Sequence, residues 1–341
     1  MVLFKSVQTW FAEVVKAWNQ FWFEPTDPAT LGLVRICAGA MLFYTHLVWS
    51  LDLTAFFGPQ SWLSSEAVRQ LQADTYTWSY FWWLESPAAL WTAHIAALIV
   101  FAMLTVGLFT RVVSVLAFIA ALSYVGRVPG ALFGLDQINV MLAMYLAVGP
   151  SGAAFSLDRW LKSRRAGVPL PVEPSWSANV VIRLIQVHMC IIYLFAGTAK
   201  LVGPAWWDGT ALWMAMGNME YQSLDMTWLA NWPRLINLMT HVTIVWEVFY
   251  CALVWPRLTR PLVLLLAIPL HMGIAICLGM VTFGLVMLIG NLAFVSPSLV
   301  RSLLNWRCSS QGRAGGRELG AGSGSLSKPR RPAAVASQKK R

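Results

Sequence analysis

The sequence predicts an all-α, polytopic membrane helix bundle, on three observations. Hydrophobic residues make up 57% of the 341 and charged residues only 12%, with a mean hydropathy of +0.59. The apolar residues come in blocks of about 20, the length that crosses roughly 30 Å of hydrocarbon at about 1.5 Å per residue. Acidic and basic residues alternate from one connecting loop to the next, as they do when loops face opposite sides of a membrane. An ordinary soluble domain is excluded by the same balance, and a lipid bilayer is the first expected partner.

Residues 1–24 read as an amphipathic interfacial helix. Phe4, Val7, Phe11, Val14, Trp18 and Phe21 recur at helical spacing, Lys5, Glu13 and Lys16 fall between them, and Pro25 and Pro28 end the pattern. No cleavable secretory signal is expected there. Residues 25–297 read as the bundle, with about eight spans near 30–50, 87–108, 112–130, 134–150, 179–201, 234–255, 261–279 and 281–296. The fourth and eighth are short, so the count runs from six to eight. Residues 298–341 read as a basic, disordered cytoplasmic tail, rich in Gly, Ser and Pro. From Ser296 onward there are ten Lys/Arg and one Glu, whereas the preceding residues hold 15 basic and 14 acidic groups. The net charge of +10 is therefore a property of the tail, and no nucleic-acid partner is expected.

The loop charges also predict orientation. Residues 51–86 contain four acidic groups and one basic, and 202–233 contain Asp208, Glu220 and Asp225 with no basic group. Arg111, the Arg159/Lys162/Arg164/Arg165 cluster, Arg257, Arg260 and the tail fall on the opposite side. Positive charge inside places both termini in the cytoplasm of a multi-pass inner (plasma) membrane protein. The two acidic loops, rich in Trp, are expected as short helices over the outward mouth of the bundle.

Charged groups near hydrocarbon are costly and are kept for a partner or a task. Lys200 closes the apolar run from Tyr193 to Leu201. Arg183, Gln186, Cys190, Tyr193, Gly197 and Lys200 share one face of the fifth span, within roughly a third of its circumference at about 100° per residue. Such a stripe either faces neighbouring helices or lines a cavity that exposes Lys200 to a substrate. Glu247 in the sixth span needs a partner. Depth counting sets it level with Arg35 and Arg183, which predicts a structural Arg–Glu–Arg charge network. Asp136, at the outward end of the fourth span, is either a helix-terminal carboxylate or the counter-ion or proton partner of Lys200. His46, His94, His188, His241 and His271 lie on different spans, none paired at ligand spacing, and no CxxC or CxxCH occurs. No metal site, disulfide framework or c-type haem is expected.

Four stretches resemble the HTTM (horizontally transferred transmembrane) family, the bacterial relatives of vitamin K-dependent gamma-carboxylase. They are Leu33-Val34-Arg35-Ile36 with Gly39, then Ser156-Leu157-Asp158, the Tyr193–Leu201 segment, and His271–Phe294. The likeness covers roughly residues 25–300. It implies a reduced, vitamin K-like quinone as cofactor and Lys200, the second position of the family's lysine pair, as the base that deprotonates it; Ala199 occupies the first. On this reading Lys200, Asp136 and His271 are the candidate catalytic residues, and Tyr193, Gly197 and His241 the candidate cofactor-binding residues. The family enzyme has a histidine near the outer end of the fourth span, where this chain has Asp136 and Gln137. It also has a propeptide-binding lumenal region with no counterpart in this sequence. A gamma-carboxylase-like (carbon–carbon lyase) or quinone-linked reaction is thus implied, rather than full glutamate carboxylation. The alternative is a non-enzymatic membrane component that assists export or maturation of a peptide partner, with Lys200 structural.

Overall fold

A computed structural model of the chain describes residues 2–304, with side chains from residue 8. The predicted tail lies, beyond residue 304, outside the described residues. In chain order the helices are α1 (Val2–Phe23), α2 (Ala29–Trp49), α3 (Leu53–Phe57), α4 (Ser65–Leu71), α5 (Pro87–Val106), α6 (Thr110–Arg127), α7 (Gly134–Val148), α8 (Leu157–Ala166), α9 (Trp176–Lys200), α10 (Pro204–Trp207), α11 (Ala211–Met216), α12 (Pro233–Leu253), α13 (Arg260–Cys277) and α14 (Val281–Asn291). The fold is all-α, as predicted. The one β-type pairing among the described residues is the Thr26–Ser175 bridge, which ties the end of α1 to the start of α9.

Each predicted span is a helix. Six of them (α2, α5, α6, α9, α12 and α13) are long and apolar enough to cross a membrane, and up to seven if a bent pair at α14 counts as one span. With 15 residues, α7 is apolar but short. Local chemistry sets several boundaries. Ser86 caps α5 by accepting from Ala89 N–H, with Pro87 at the first helical position, and Gly107 at φ +74° ends it. Ser175 caps α9 in the same way through Ala178 N–H.

The chain's connections gather at two ends. At the acidic end, the 51–86 loop is fastened by Arg127, the last residue of α6. Its buried guanidinium donates to Leu63 O (2.9 Å), Gly58 O (3.2 Å) and Ser61 Oγ. The 202–232 loop packs on α12 through Thr240, whose hydroxyl meets Gly209 O at 3.1 Å, and on α13 through Ser223, which donates to Ile276 O at 2.6 Å. As expected, both loops are built of short helices. At the basic end, Asp158 receives the N–H groups of Phe109 and Thr110 and the Thr110 hydroxyl, all at 2.8 Å, and so caps α6 from a distant segment.

Burial would raise the Asp158 carboxyl, but the Thr110 and Phe109 donors and the nearby Lys162 outweigh it and hold the group below the ordinary carboxylate range. A depressed folded value contributes stability above the unfolded value of about 3.9 that is lost as pH falls through the folded one. Asp158→Ala is therefore expected to cost about 2 kcal/mol at neutral pH, and the gap to the unaltered protein should narrow as pH falls through the folded value. Detergent melting curves at several pH values measure both; a constant gap would refute the cap.

The core forms two main clusters, besides a small one of Met216, Leu229 and Ile236. One joins α2, α7, α9, α12, α13 and α14; the other joins α2, α5, α6 and the 51–86 loop. Within the first, α9 and α12 run antiparallel in close contact. Tyr193 packs its ring on Trp246 (4.8 Å) and Tyr250 (4.2 Å). One turn further, Gly197 lets the backbones touch, since a Cβ there would lie 2.8 Å from Val248 N.

This register overturns the predicted charge network. With Gly197 against Val248, the first three turns of α12 stand roughly 16 Å beyond the end of α9, at about 1.5 Å per residue, under the 202–232 loop. Glu247 is thus level with the last turn of α9, not with Arg35 or Arg183. Arg35 instead donates to Phe155 O at 2.6 Å, within the field of Asp158. Arg183 donates to Phe21 O (3.2 Å) and Gln186 Oε1 (3.0 Å) and lies 4.4 Å over the Phe21 ring.

Candidate functional site

Tyr193, Gly197 and Lys200 follow one another along one face of α9, as the stripe predicted. The face is a seam rather than an open wall: Gln186, Cys190, Tyr193 and Gly197 are all buried, and Gln186 donates to Ala293 O at 2.8 Å. At the acidic end of the seam, Lys200 Nζ meets Glu247 Oε2 at 2.7 Å. The two side chains are 26% and 14% exposed, so water screens the pair only in part. The Trp206 ring of α10 covers the ammonium at 5.3 Å, and Lys200 O receives Gly203 N–H as the chain turns back.

Deeper along the seam is a buried hydrogen-bonded chain. Tyr250 OH donates to Asn291 Oδ1 (2.7 Å), Asn291 Nδ2 donates to Tyr193 OH (2.8 Å), and Tyr193 OH meets His271 Nε2 (2.7 Å). Among the described residues His271 Nε2 is the one acceptor open to the Tyr193 hydroxyl proton, which gives this chain a direction. Tyr193 accepts from Asn291 and gives its own proton to His271 Nε2, which leaves the imidazole hydrogen on Nδ1. Nδ1 is buried with no hydrogen-bond partner among the described residues. Gly284 brings α14 against the His271 carbonyl, where a Cβ would come within 2.5 Å, and Pro269 interrupts the α13 ladder two residues earlier.

The structure thus joins Lys200, Gly197, Tyr193 and His271 along one seam, with Glu247 added. Asp136 and His241 lie elsewhere. Asp136 Oδ2 accepts Phe133 N–H at 2.9 Å, which is the helix-terminal role, and Lys200 takes Glu247 as its carboxylate instead. Asp136 also lines a cavity of about 420 Å³ at the acidic end with Trp49, Asp52, Phe56 and Phe133, and Lys200 does not line it. His241 Nδ1 turns to Asn237 O on its own helix (2.9 Å). The other histidines are hydrogen-bonded: His46 to Leu42 O, His94 to Ser50 and Tyr124, His188 to Tyr145. Sequence reasoning missed Asn291 and Tyr250. Tyr250 follows Glu247 by three residues on the same helical face, and Asn291 is the one amide in α14, so both left a signal.

The HTTM domain family model matches residues 23–298. A stretch of 132 residues, 37% of this chain, is 29% identical to the sporulation-delaying protein SdpB of Bacillus subtilis (strain 168) and covers 41% of that protein. The chain therefore spans about two fifths of the length of that relative. No solved structure matches. Since the family match runs from the end of α1 past the end of α14 and takes in the whole Lys200–Glu247 and Tyr193–His271 seam, the chain belongs to the HTTM domain family of membrane proteins.

Proposed function

We propose that the protein performs proton-transfer chemistry on a reduced quinone-like molecule at the α9–α12 seam, with Lys200 as the group that takes the proton. The observation that carries this reading is the 2.7 Å contact between Lys200 Nζ and Glu247 Oε2. A proton moved along that contact leaves a neutral amine beside a protonated carboxyl, and only a neutral amine can act as a base. The amine then accepts a proton from a substrate hydroxyl.

The residues fit such a molecule at one orphaned atom. A buried Nδ1–H on His271 with no acceptor suits a quinone oxygen. When bound, a reduced quinone supplies phenolic protons and electrons. Lys200, Tyr193 and His271 would hold it, and Trp206 would exclude water above the amine.

Co-extracted lipid from the purified protein is the test. Isoprenoid quinone in near-stoichiometric amount, lost in Lys200→Ala, supports the reading. Lys200→Arg keeps the charge but cannot surrender a proton, so it should fold and abolish proton uptake on reduced quinone. Undiminished uptake in that variant excludes Lys200 as the base.

A second reading is a non-enzymatic component that assists maturation or export of a peptide. It is favoured by the same ion pair, since a lysine satisfied by Glu247 needs no further task. A copurifying peptide without quinone would establish it. Under either reading we place the protein in the inner (plasma) membrane with both termini cytoplasmic. A reporter fused after Arg341 should be active in the cytoplasm, and labelling from outside would reverse the topology.

A further inference from the structure

A second cavity, at the basic end and far in sequence from the Lys200 seam, has a different chemistry. It measures about 290 Å³, near the lower bound of ligand pockets at about 300 Å³. The start of α6, the Gly149–Ala153 turn after α7, and α8 build it. Arg111, Arg159 and Lys162 line it together with Thr110, Ser151 and Gly152.

Three cations face one carboxylate, Asp158, which also lines the cavity but already receives three donors from Phe109 and Thr110. Asp158 lies within the field of Lys162. Among the described residues no carboxylate stands within ion-pair distance of Arg111, Arg159 or Lys162. The Arg159 guanidinium is fixed at the rim by the carbonyls of Ala153 (3.5 Å) and Leu170. A pre-positioned guanidinium, a second arginine and a lysine converging on a small concavity suit a compact, multiply charged anion with several acceptor oxygens. The volume suits a phosphate group with its first substituents.

We infer that this cavity binds a phosphate group, carried either by an anionic lipid headgroup or by a small soluble phosphate ester. Phe109, Val112 and Val148, exposed apolar residues beside the cavity-lining Thr110, Arg111 and Gly149, make the lipid source physically accessible, and basic pockets between membrane helices hold anionic headgroups by this chemistry. The guanidinium of Arg111 and the ammonium of Lys162 neutralise the phosphate oxygens, while Arg159 orients the group from the rim. Nothing in the Lys200–Glu247 reading is needed for this site.

The full chain in detergent tests it, with short-chain phosphatidic acid and inorganic phosphate as separate probes and thermal unfolding as the readout. One or both should stabilise the protein saturably. Response to phosphatidic acid alone identifies a lipid headgroup, and response to inorganic phosphate identifies the soluble source; either supports the site. Arg111→Gln with Lys162→Gln should weaken the response at least about tenfold, and Arg111→Lys with Lys162→Arg should restore it. Arg164→Gln with Arg165→Gln removes two charges from α8 outside the cavity and should leave the response unchanged. Equal loss in that control, or no stabilisation of the unaltered protein by either probe, overturns the inference.

Discussion

Glu247→Leu is expected to destabilise the protein by about 3 kcal/mol, and adding Lys200→Met should recover most of that loss. The single substitution strands an ammonium that is only 26% exposed, beneath the Trp206 ring, with its 2.7 Å partner gone. Breaking a buried pair costs about 3–5 kcal/mol, whereas replacing both members with apolar residues of similar size is often neutral or better. The partial exposure of both side chains puts the single effect at the low end. Detergent melting of the two single variants and the double variant gives the coupling energy directly. Additive losses would mean that the contact does not hold the two helices together.

The same cycle separates stability from chemistry. The double variant should fold as well as the unaltered protein, yet it has neither an amine to take a proton nor a carboxyl to relay one. A folded but inactive double variant supports a working Lys200. A folded and fully active one leaves the pair only a structural role and favours the peptide-maturation reading.

How much of this was legible beforehand depends on which dimension is considered. Along the chain, nearly everything was: each apolar block became a helix, because backbone groups in hydrocarbon must bond within their own segment. Around each helix axis the reading also held for α9, whose stripe Gln186, Cys190, Tyr193 and Gly197 is buried as one seam. The longitudinal offset between helices was not legible. Depth counting assumed that every span begins at one membrane surface, but α12 begins under the 202–232 loop, so Glu247 meets Lys200 instead of Arg35 or Arg183. That offset is set by packing between Gly197 and Val248 and by Tyr193 between Trp246 and Tyr250, which no single helix encodes. Asn291 escaped notice for a related reason: an amide in an apolar helix signals a partner without saying which.

Asn291→Leu is the sharper probe of the inner part of the seam. It removes the acceptor of Tyr250 OH and the donor to Tyr193 OH while nearly conserving volume, so the cost is electrostatic rather than a cavity. Tyr250 is fully buried, and its hydroxyl left without an acceptor should cost about 2–3 kcal/mol. Adding Tyr250→Phe deletes that stranded hydroxyl and should restore most of the stability, by the same logic that rescues the ion pair. The chain's direction makes a further demand. Without the Asn291 donor, His271 Nε2 is still the one acceptor open to the Tyr193 proton, so the imidazole hydrogen stays on Nδ1 and the free donor remains in the buried site. Asn291→Leu/Tyr250→Phe should therefore be stable and keep quinone retention, since neither residue is needed to touch the molecule. Tyr193→Phe is the converse case: it cuts His271 from the chain directly and should lose retention without rescue by Tyr250→Phe. Retention undisturbed in Tyr193→Phe would show that the oriented His271 hydrogen has no part in holding the ligand, even if Lys200 keeps its role.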